Sequence, residues 1–229
     1  MRRFFGIGLC VLSLGVVARA DVQLIANGGF ESGSLAPWVA TSSAGSGGSF
    51  FENSGIFSPL NGLPTVGAST GTFYAVSDSF GPGTNALSQS FVVPIGATTE
   101  ILSYDLFVND WGGAGSGGIE KVWLMAGGSS PLTGPVLASF AILGPLVVTG
   151  GLPNPYHSYI FDITGFVVPG LTYQIDFLES DSTAPINMGV DNVSVLARVG
   201  TAPVPEPSSL ALLIGVVALV GFSLRYRRA

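Results

Sequence analysis

Leu171-Thr172-Tyr173-Gln174-Ile175-Asp176-Phe177 carries apolar side chains at odd positions and polar ones at even positions. Successive side chains of a strand point to opposite faces, so this run predicts a strand with one dry and one wet face. One-sided patterning of this kind belongs to an antiparallel sheet. Extended to 171–178, the run is one of ten candidate strands. The others are 22–26, 49–53, 72–77, 86–93, 101–109, 119–126, 136–142, 156–163 and 188–196, separated by clusters of Gly, Pro, Ser and Asn. Nothing between 21 and 203 sustains a helical period. The expected fold class is therefore all-β, an antiparallel sandwich of two sheets over residues 21–203. Composition agrees, because 33 Gly and 15 Pro in 229 residues argue against a helical bundle. A hydrophobic content of 47% against 10% charged residues supplies a core and excludes the disordered class.

Charge is distributed unevenly. Six of the eight basic residues are Arg2, Arg3, Arg19, Arg225, Arg227 and Arg228, at the two ends, so only Lys121 and Arg198 accompany the 14 acids between 21 and 207. Such a body repels a phosphate backbone, and nucleic acid is excluded as a partner. The single cysteine, Cys10, lies in the N-terminal apolar stretch, leaving the body without a disulfide or a cysteine metal site.

Met1-Arg2-Arg3, the apolar run 4–17 and Ala18-Arg19-Ala20 form the basic, apolar and small-x-small parts of a secretory signal peptide over 1–20. Leu9 precedes Cys10 where a lipoprotein signal needs a small residue, and Cys10 comes too early for one. At the other end, Val204-Pro205-Glu206-Pro207 precedes the uncharged run 208–224 and then Arg225-Tyr226-Arg227-Arg228. As a helix that run spans about 25 Å, within the range of membrane-spanning segments. The three prolines at 203, 205 and 207 oppose helix upstream, and the basic cluster predicts a cytoplasmic end, leaving 21–203 outside the inner membrane.

This order of Pro205-Glu206-Pro207, apolar helix and terminal arginines resembles the PEP-CTERM sorting signal of Gram-negative bacteria. The resemblance covers about 25 residues. It implies recognition of Pro205, Glu206 and Pro207 by exosortase, initial anchoring by the 204–229 segment, and an association with exopolysaccharide, biofilm and the cell surface. It gives the chain a route as a substrate and assigns it no chemistry.

Leu24-Ile25-Ala26-Asn27-Gly28-Gly29-Phe30-Glu31 followed by Trp38, together with Val190-Asp191-Asn192-Val193-Ser194-Val195, resembles the first and last strands of galactose-binding-like jelly-roll domains, among them carbohydrate-binding modules. The likeness implies neighbouring first and last strands that hold a structural Ca²⁺, here through the Gly28 carbonyl, Glu31 and Asp191. Strict alternation puts Asp191 on the face of Val193 and Val195, where a carboxylate needs a partner. Calcium is one answer. Backbone amides at a strand end, or a bulge that turns Asp191 outward, are the other.

Catalytic devices find little support. His157 is the lone histidine and no Gly-x-Ser-x-Gly elbow accompanies it, so a surface position is expected. Gly113-Ala114-Gly115-Ser116-Gly117-Gly118 matches Gly-x-Gly-x-x-Gly but leads into the strand 119–126, not a helix, and reads as a hairpin connection. Asp105 with Asp110, or Glu179 with Asp181, are the carboxylate pairs available to a glycosidase. Trp111, Trp38 and Tyr156, with Trp123, are candidate flat platforms for sugar rings, Trp111 foremost, or else core. The expected function is a non-enzymatic component of an exopolysaccharide-rich surface, the alternatives being a carbohydrate-binding module with a definite glycan or a glycoside hydrolase.

Overall fold

The computed structural model describes residues 19–112, 118–143, 146–182 and 185–200. The signal segment up to residue 18, the Pro-Glu-Pro motif, the 208–224 run and Arg225, Arg227 and Arg228 lie outside the described residues. Among the described residues no helix is long and apolar enough to cross a membrane.

Among the described residues eleven strands form two antiparallel sheets. They are β1 (Arg19–Gln23), β2 (Val39–Ser42), β3 (Gly48–Asn53), β4 (Tyr74–Ser79), β5 (Gly83–Val92), β6 (Ala97–Asp110), β7 (Ile119–Ala126), β8 (Val136–Leu143), β9 (His157–Asp162), β10 (Thr172–Asp181) and β11 (Ile186–Gly200). One sheet runs β3-β4-β11-β6-β9 with β1 also against β11, and the other β2-β5-β10-β7-β8. The paths β4-β11-β6-β9 and β5-β10-β7-β8 are the two four-stranded halves of a jelly roll. Residues 21–199 form a compact unit.

The quoted strand is β10, held on both sides: Tyr173, Ile175 and Phe177 stand opposite Phe91, Gln89 and Leu87 of β5, and opposite Ala126, Leu124 and Val122 of β7. Tyr173, Ile175 and Phe177 enter the core between the sheets, whereas Leu171 precedes the strand and is exposed, against the expectation of a dry face there. In the core Phe177 meets Tyr104 of β6 edge-on at 5.2 Å and Trp38 at 6.0 Å, and Trp38 packs on Phe30 at 5.8 Å. Offset and edge-on contacts of this kind suit the aromatic quadrupole.

The even positions depart from expectation. Gln174 and Asp176 are not wet but buried, at 5% and 0% exposure. Alternation reports the polarity of a face and not what covers it. Here the segment after β7 folds over the strand end, with the Gly127 amide donating to the Thr172 carbonyl and Gln174 Nε2 to the Ser129 carbonyl.

Two other departures have local causes. The first strand lies at Arg19–Gln23 instead of 22–26, because the Gln23 side chain takes over where the ladder ends and its Oε1 accepts from the amides of Ile25 and Val195. The four-residue edge strand β2 had no alternation long enough to reveal it.

Trp38→Ala removes the ring that joins Phe30 to Phe177 and is expected to lower unfolding free energy by about 3–5 kcal/mol in urea titrations. Trp111→Ala, at a half-buried position, should cost less.

Candidate functional site

The last strand bulges between Asp191 and Ser194, with Asn192 at φ 53°. This shifts the parity that strict alternation implies. Val190, Val193 and Val195 all face the core, while Asp191 faces outward beneath the segment preceding β4. The sequence expectation that Asp191 shares the face of Val193 and Val195 is thus corrected by one extra residue in the ladder. Gly28 crosses the bulge so closely that a Cβ there would lie 1.8 Å from the Val193 carbonyl oxygen, so only glycine fits. Its own carbonyl accepts from the Val193 amide at 2.9 Å.

Of the residues proposed for calcium, Asp191 and Glu31 both approach Gly29, and among the described residues no group of three or more acidic, histidine or cysteine side chains gathers to hold a metal. Asp191 Oδ1, Asn192 Oδ1 and Glu31 Cγ all lie 3.8–3.9 Å from the Cβ position of Gly29. Their oxygens also have amide donors. Asp191 Oδ2 accepts from the Ser69 and Thr70 amides, Asp191 Oδ1 from Asn192, and Glu31 Oε1 from Thr72 and Phe73. Burial pushes Asp191 up to about 6 despite these bonds. The donor set is hard oxygen throughout and keeps unused lone pairs, such as those of Glu31 Oε2, so it fits Ca²⁺ chemically while already serving as a loop clasp.

The carboxylate pairs separate in the structure. Asp105 and Asp110 are five residues apart on β6, about 17 Å along a strand and on opposite faces, too far to flank one glycosidic bond. Burial would raise Asp105, but hydrogen bonds from Ser158, Asn192 and Ser69 outweigh it and hold the carboxyl below its ordinary value. Glu179 and Asp181 share a face but are buried at the far end of the core, out of reach of a polymer. There Glu179 lies opposite both Asn85 and Glu120 in the ladder. No donor from another described residue reaches either oxygen of Glu120 or Oε1 of Glu179, and Asn85 Nδ2 donates to Glu179 Oε2 at 3.0 Å. Burial pushes Glu120 and Glu179 up to about 8 each and Asp176 to about 7.

Of the aromatic platforms, Trp38 is excluded by its place in the core at 4% exposure. Tyr156 packs edge-on against Phe107 at 4.9 Å and donates to the Gly67 carbonyl, clamping a loop. Half-buried Trp111 donates Nε1–H to Asn187 Oδ1 at 3.2 Å. His157 is exposed at the start of β9, and the Gly-rich loop leads into strand β7.

What sequence reasoning missed is a groove of about 580 Å³ on the outer face of the second sheet. Its floor is Ser88, Ser90 and Gln174, and its walls are Leu24, Pro37, Val39 and Thr41 on one side and Ser129 and Pro131 on the other. No ionisable side chain lines it. Asp176 lies one step along the same face of β10, and both of its oxygens accept from Gln174 Nε2, at 2.9 and 3.1 Å. The Gln174 amide is thereby fixed with its donors inward, leaving Oε1 as an acceptor. Trp123, the Cα partner of Asp176, carries the Lys121 ammonium 4.9 Å from its ring centroid. The signal available in the sequence was the pair Gln174 and Asp176, two amide-bearing or acidic groups on one face of the most regular strand.

A PEP-CTERM protein-sorting motif matches residues 203–228. No curated protein matches the chain by sequence. Among solved structures, the chain is similar to the K3 cleaved adhesin domain of Lys-gingipain from Porphyromonas gingivalis W83, at TM-score 0.53 and 16% identity, covering 78% of this chain and 99% of that one. It is also similar to a Stig cyclase from Fischerella sp. TAU, at 0.51 and 18%, covering 80% and 100%. The carbohydrate-binding module TmCBM61, solved with β-1,4-galactotriose, matches at 0.50 and 12%, covering 76% and 97%. At these identities the likeness is one of fold.

The raised carboxyls fix the sign of a pH dependence. A group protonated in the folded state but ionised in the unfolded state contributes fully below its unfolded value, and the contribution is lost as pH rises through the folded value. Between about pH 5 and 8, stability should therefore fall, by up to about 1.4 kcal/mol per pH unit for each such group. Glu179→Gln should flatten the profile and raise stability at pH 8; a profile that rises to pH 8 contradicts the assignment.

Proposed function

We propose that this chain is an exported, non-enzymatic surface protein whose sandwich binds a neutral glycan in the outer groove of the second sheet. The observation that carries the reading is the groove itself, uncharged in a strongly acidic body, with hydroxyl and amide groups on its floor and apolar walls. Neutral sugars are recognised in this way, by hydrogen bonds from a few fixed polar groups and by apolar contact with ring faces. Similarity of fold to an adhesin domain and to a carbohydrate-binding module supports the reading.

The chain carries a PEP-CTERM sorting motif, a signal for export and membrane-anchored sorting. In the proposed route exosortase recognises Pro205, Glu206 and Pro207, the 208–224 run holds the chain in the inner membrane, and the body reaches an exopolysaccharide-rich surface. The hydrolase alternative loses its residues, since the acids named for it are far apart or buried.

In a glycan array of the exported body, saturable binding of neutral galactans or related glycans is expected. It should weaken at least tenfold in Gln174→Ala and be little changed in Trp111→Ala, a tenfold loss being about 1.4 kcal/mol. Loss in Trp111→Ala alone would move the site, and absence of binding would leave a purely structural surface role. Ca²⁺ at Gly28, Glu31 and Asp191 belongs to the same proposal. Chelation is then expected to lower Tm, and Glu31→Gln to abolish the calcium response. A Tm indifferent to both calcium and chelator leaves the amide clasp as the whole role of these acids.

A further inference from the structure

Two tight turns form the end of the sandwich from which the chain leaves. At Pro94-Ile95-Gly96-Ala97 the Ala97 amide donates to the Pro94 carbonyl at 3.1 Å, and Gly96 has φ 85°. At Val168-Pro169-Gly170-Leu171 the Leu171 amide donates to the Val168 carbonyl at 3.2 Å, and Gly170 has φ 88°. A glycine of positive φ in the third place of each turn marks the type II form, which projects the second residue outward. In the first turn that residue is Ile95, 86% exposed.

The turns are bonded to each other, Gly170 amide to Val93 carbonyl and Val93 amide to Leu171 carbonyl, so their side chains make one surface. Val92, Val168, Leu171 and Phe166 are exposed with Ile95. No residue of 91–99 or 163–172 is ionisable. Around the rim, Asp162 caps Thr164, Glu100 is buried, and Arg198 pairs with Asp21 at 3.0 Å. Turn chemistry demands the glycines and welcomes the prolines, but it asks for nothing apolar at the apex. An uncharged, branched aliphatic tip in a body with 13 acids therefore needs a partner.

The partner follows from where β11 ends. Val199 stands opposite Ala97, so β11 delivers the C-terminal segment at this same end. Seven residues, 201–207, separate Gly200 from the apolar run 208–224, and seven residues span at most about 25 Å. We propose that, while the C-terminal segment is attached, the tip formed by Ile95, Val168 and Leu171 rests in the headgroup region of the bilayer that holds the 208–224 run. This rests on that run entering a membrane. The contact would keep Pro205-Glu206-Pro207 at the bilayer surface, within reach of an enzyme embedded there.

The test uses the full mature chain reconstituted in vesicles of phosphatidylethanolamine and phosphatidylglycerol. With Cys10 removed along with the signal segment, the remaining sequence has no cysteine, so Ile95→Cys and Phe80→Cys each accept a single polarity-sensitive fluorophore. Phe80 is the control, since it is exposed at the opposite end, beside Gly81 and Asp181. In chains that float with the vesicles, the probe at 95 should shift to the blue and be quenched by brominated acyl chains, while the probe at 80 should do neither. Equal response at both sites, or none at 95 in a floating chain, overturns the proposal while leaving the anchor intact. A chain that does not float overturns the anchor and the contact together. A blue shift at 95 that needs no vesicles and grows with protein concentration assigns the tip to a second copy of the chain instead.

Discussion

The constraint on which the structure depends is a surplus of carboxylates with almost no cations to meet them. Two bases accompany 14 acids between residues 21 and 207, and the one ion pair among the described residues, Arg198 with Asp21, is exposed. A buried carboxylate without a cation must accept hydrogen bonds or stay protonated. Both solutions occur, in different parts of the sandwich. Asp78 accepts from the amides of Leu60 and Asn61, Glu31 from Thr72 and Phe73, and Asp191 from Ser69 and Thr70. Asp78 and Asp191 pin a long connection to the first sheet, and Glu31, in the segment between β1 and β2, ties that segment to the one before β4, so loops lacking regular structure are fixed by acids. On the second sheet Glu120 and Glu179 take the other course, burial raising both carboxyls to about 8.

That division bears on the outer groove of the second sheet. Asp176 has its carboxyl bonded to Gln174 and does not line the groove, whose own lining residues carry no ionisable side chain inside an acidic protein. The same economy explains the opposite character of the two ends. Buried acids gather where β10 finishes and β11 begins, whereas the turns at Ile95 and Gly170 carry no ionisable group at all. The uncharged end is the one from which β11 leads toward the sorting motif at 203–228.

Much of the sandwich was legible in the sequence because strands declare themselves by what they bury. Tyr173, Ile175 and Phe177 could only face a core, and the Gly-rich connection after Trp111 could only lead into β7. Three features were not legible, each for a different reason. The bulge at Asn192 changes parity without changing composition, so strict alternation puts Asp191 on the core face and leaves the bulge, which the structure has, as only one of the alternatives. The cover over Gln174 comes from a segment some 45 residues away, and no local pattern records it. The groove on the second sheet was not legible because it is built of Ser, Thr and Gln, residues that look like any solvated strand face until a neighbouring loop walls them in. Trp38 and Tyr156 illustrate the converse, as aromatic rings drew attention to positions whose task is packing or clamping.

An acidic sandwich assembled in this way depends on protons retained inside it at neutral pH, and that claim can be measured directly. Infrared difference spectra of the folded protein at pH 7 should contain the carbonyl stretch of protonated carboxyl groups, diminished in Glu120→Gln and in Glu179→Gln. A spectrum at pH 7 showing only ionised carboxylates, unchanged by either substitution, would contradict the account.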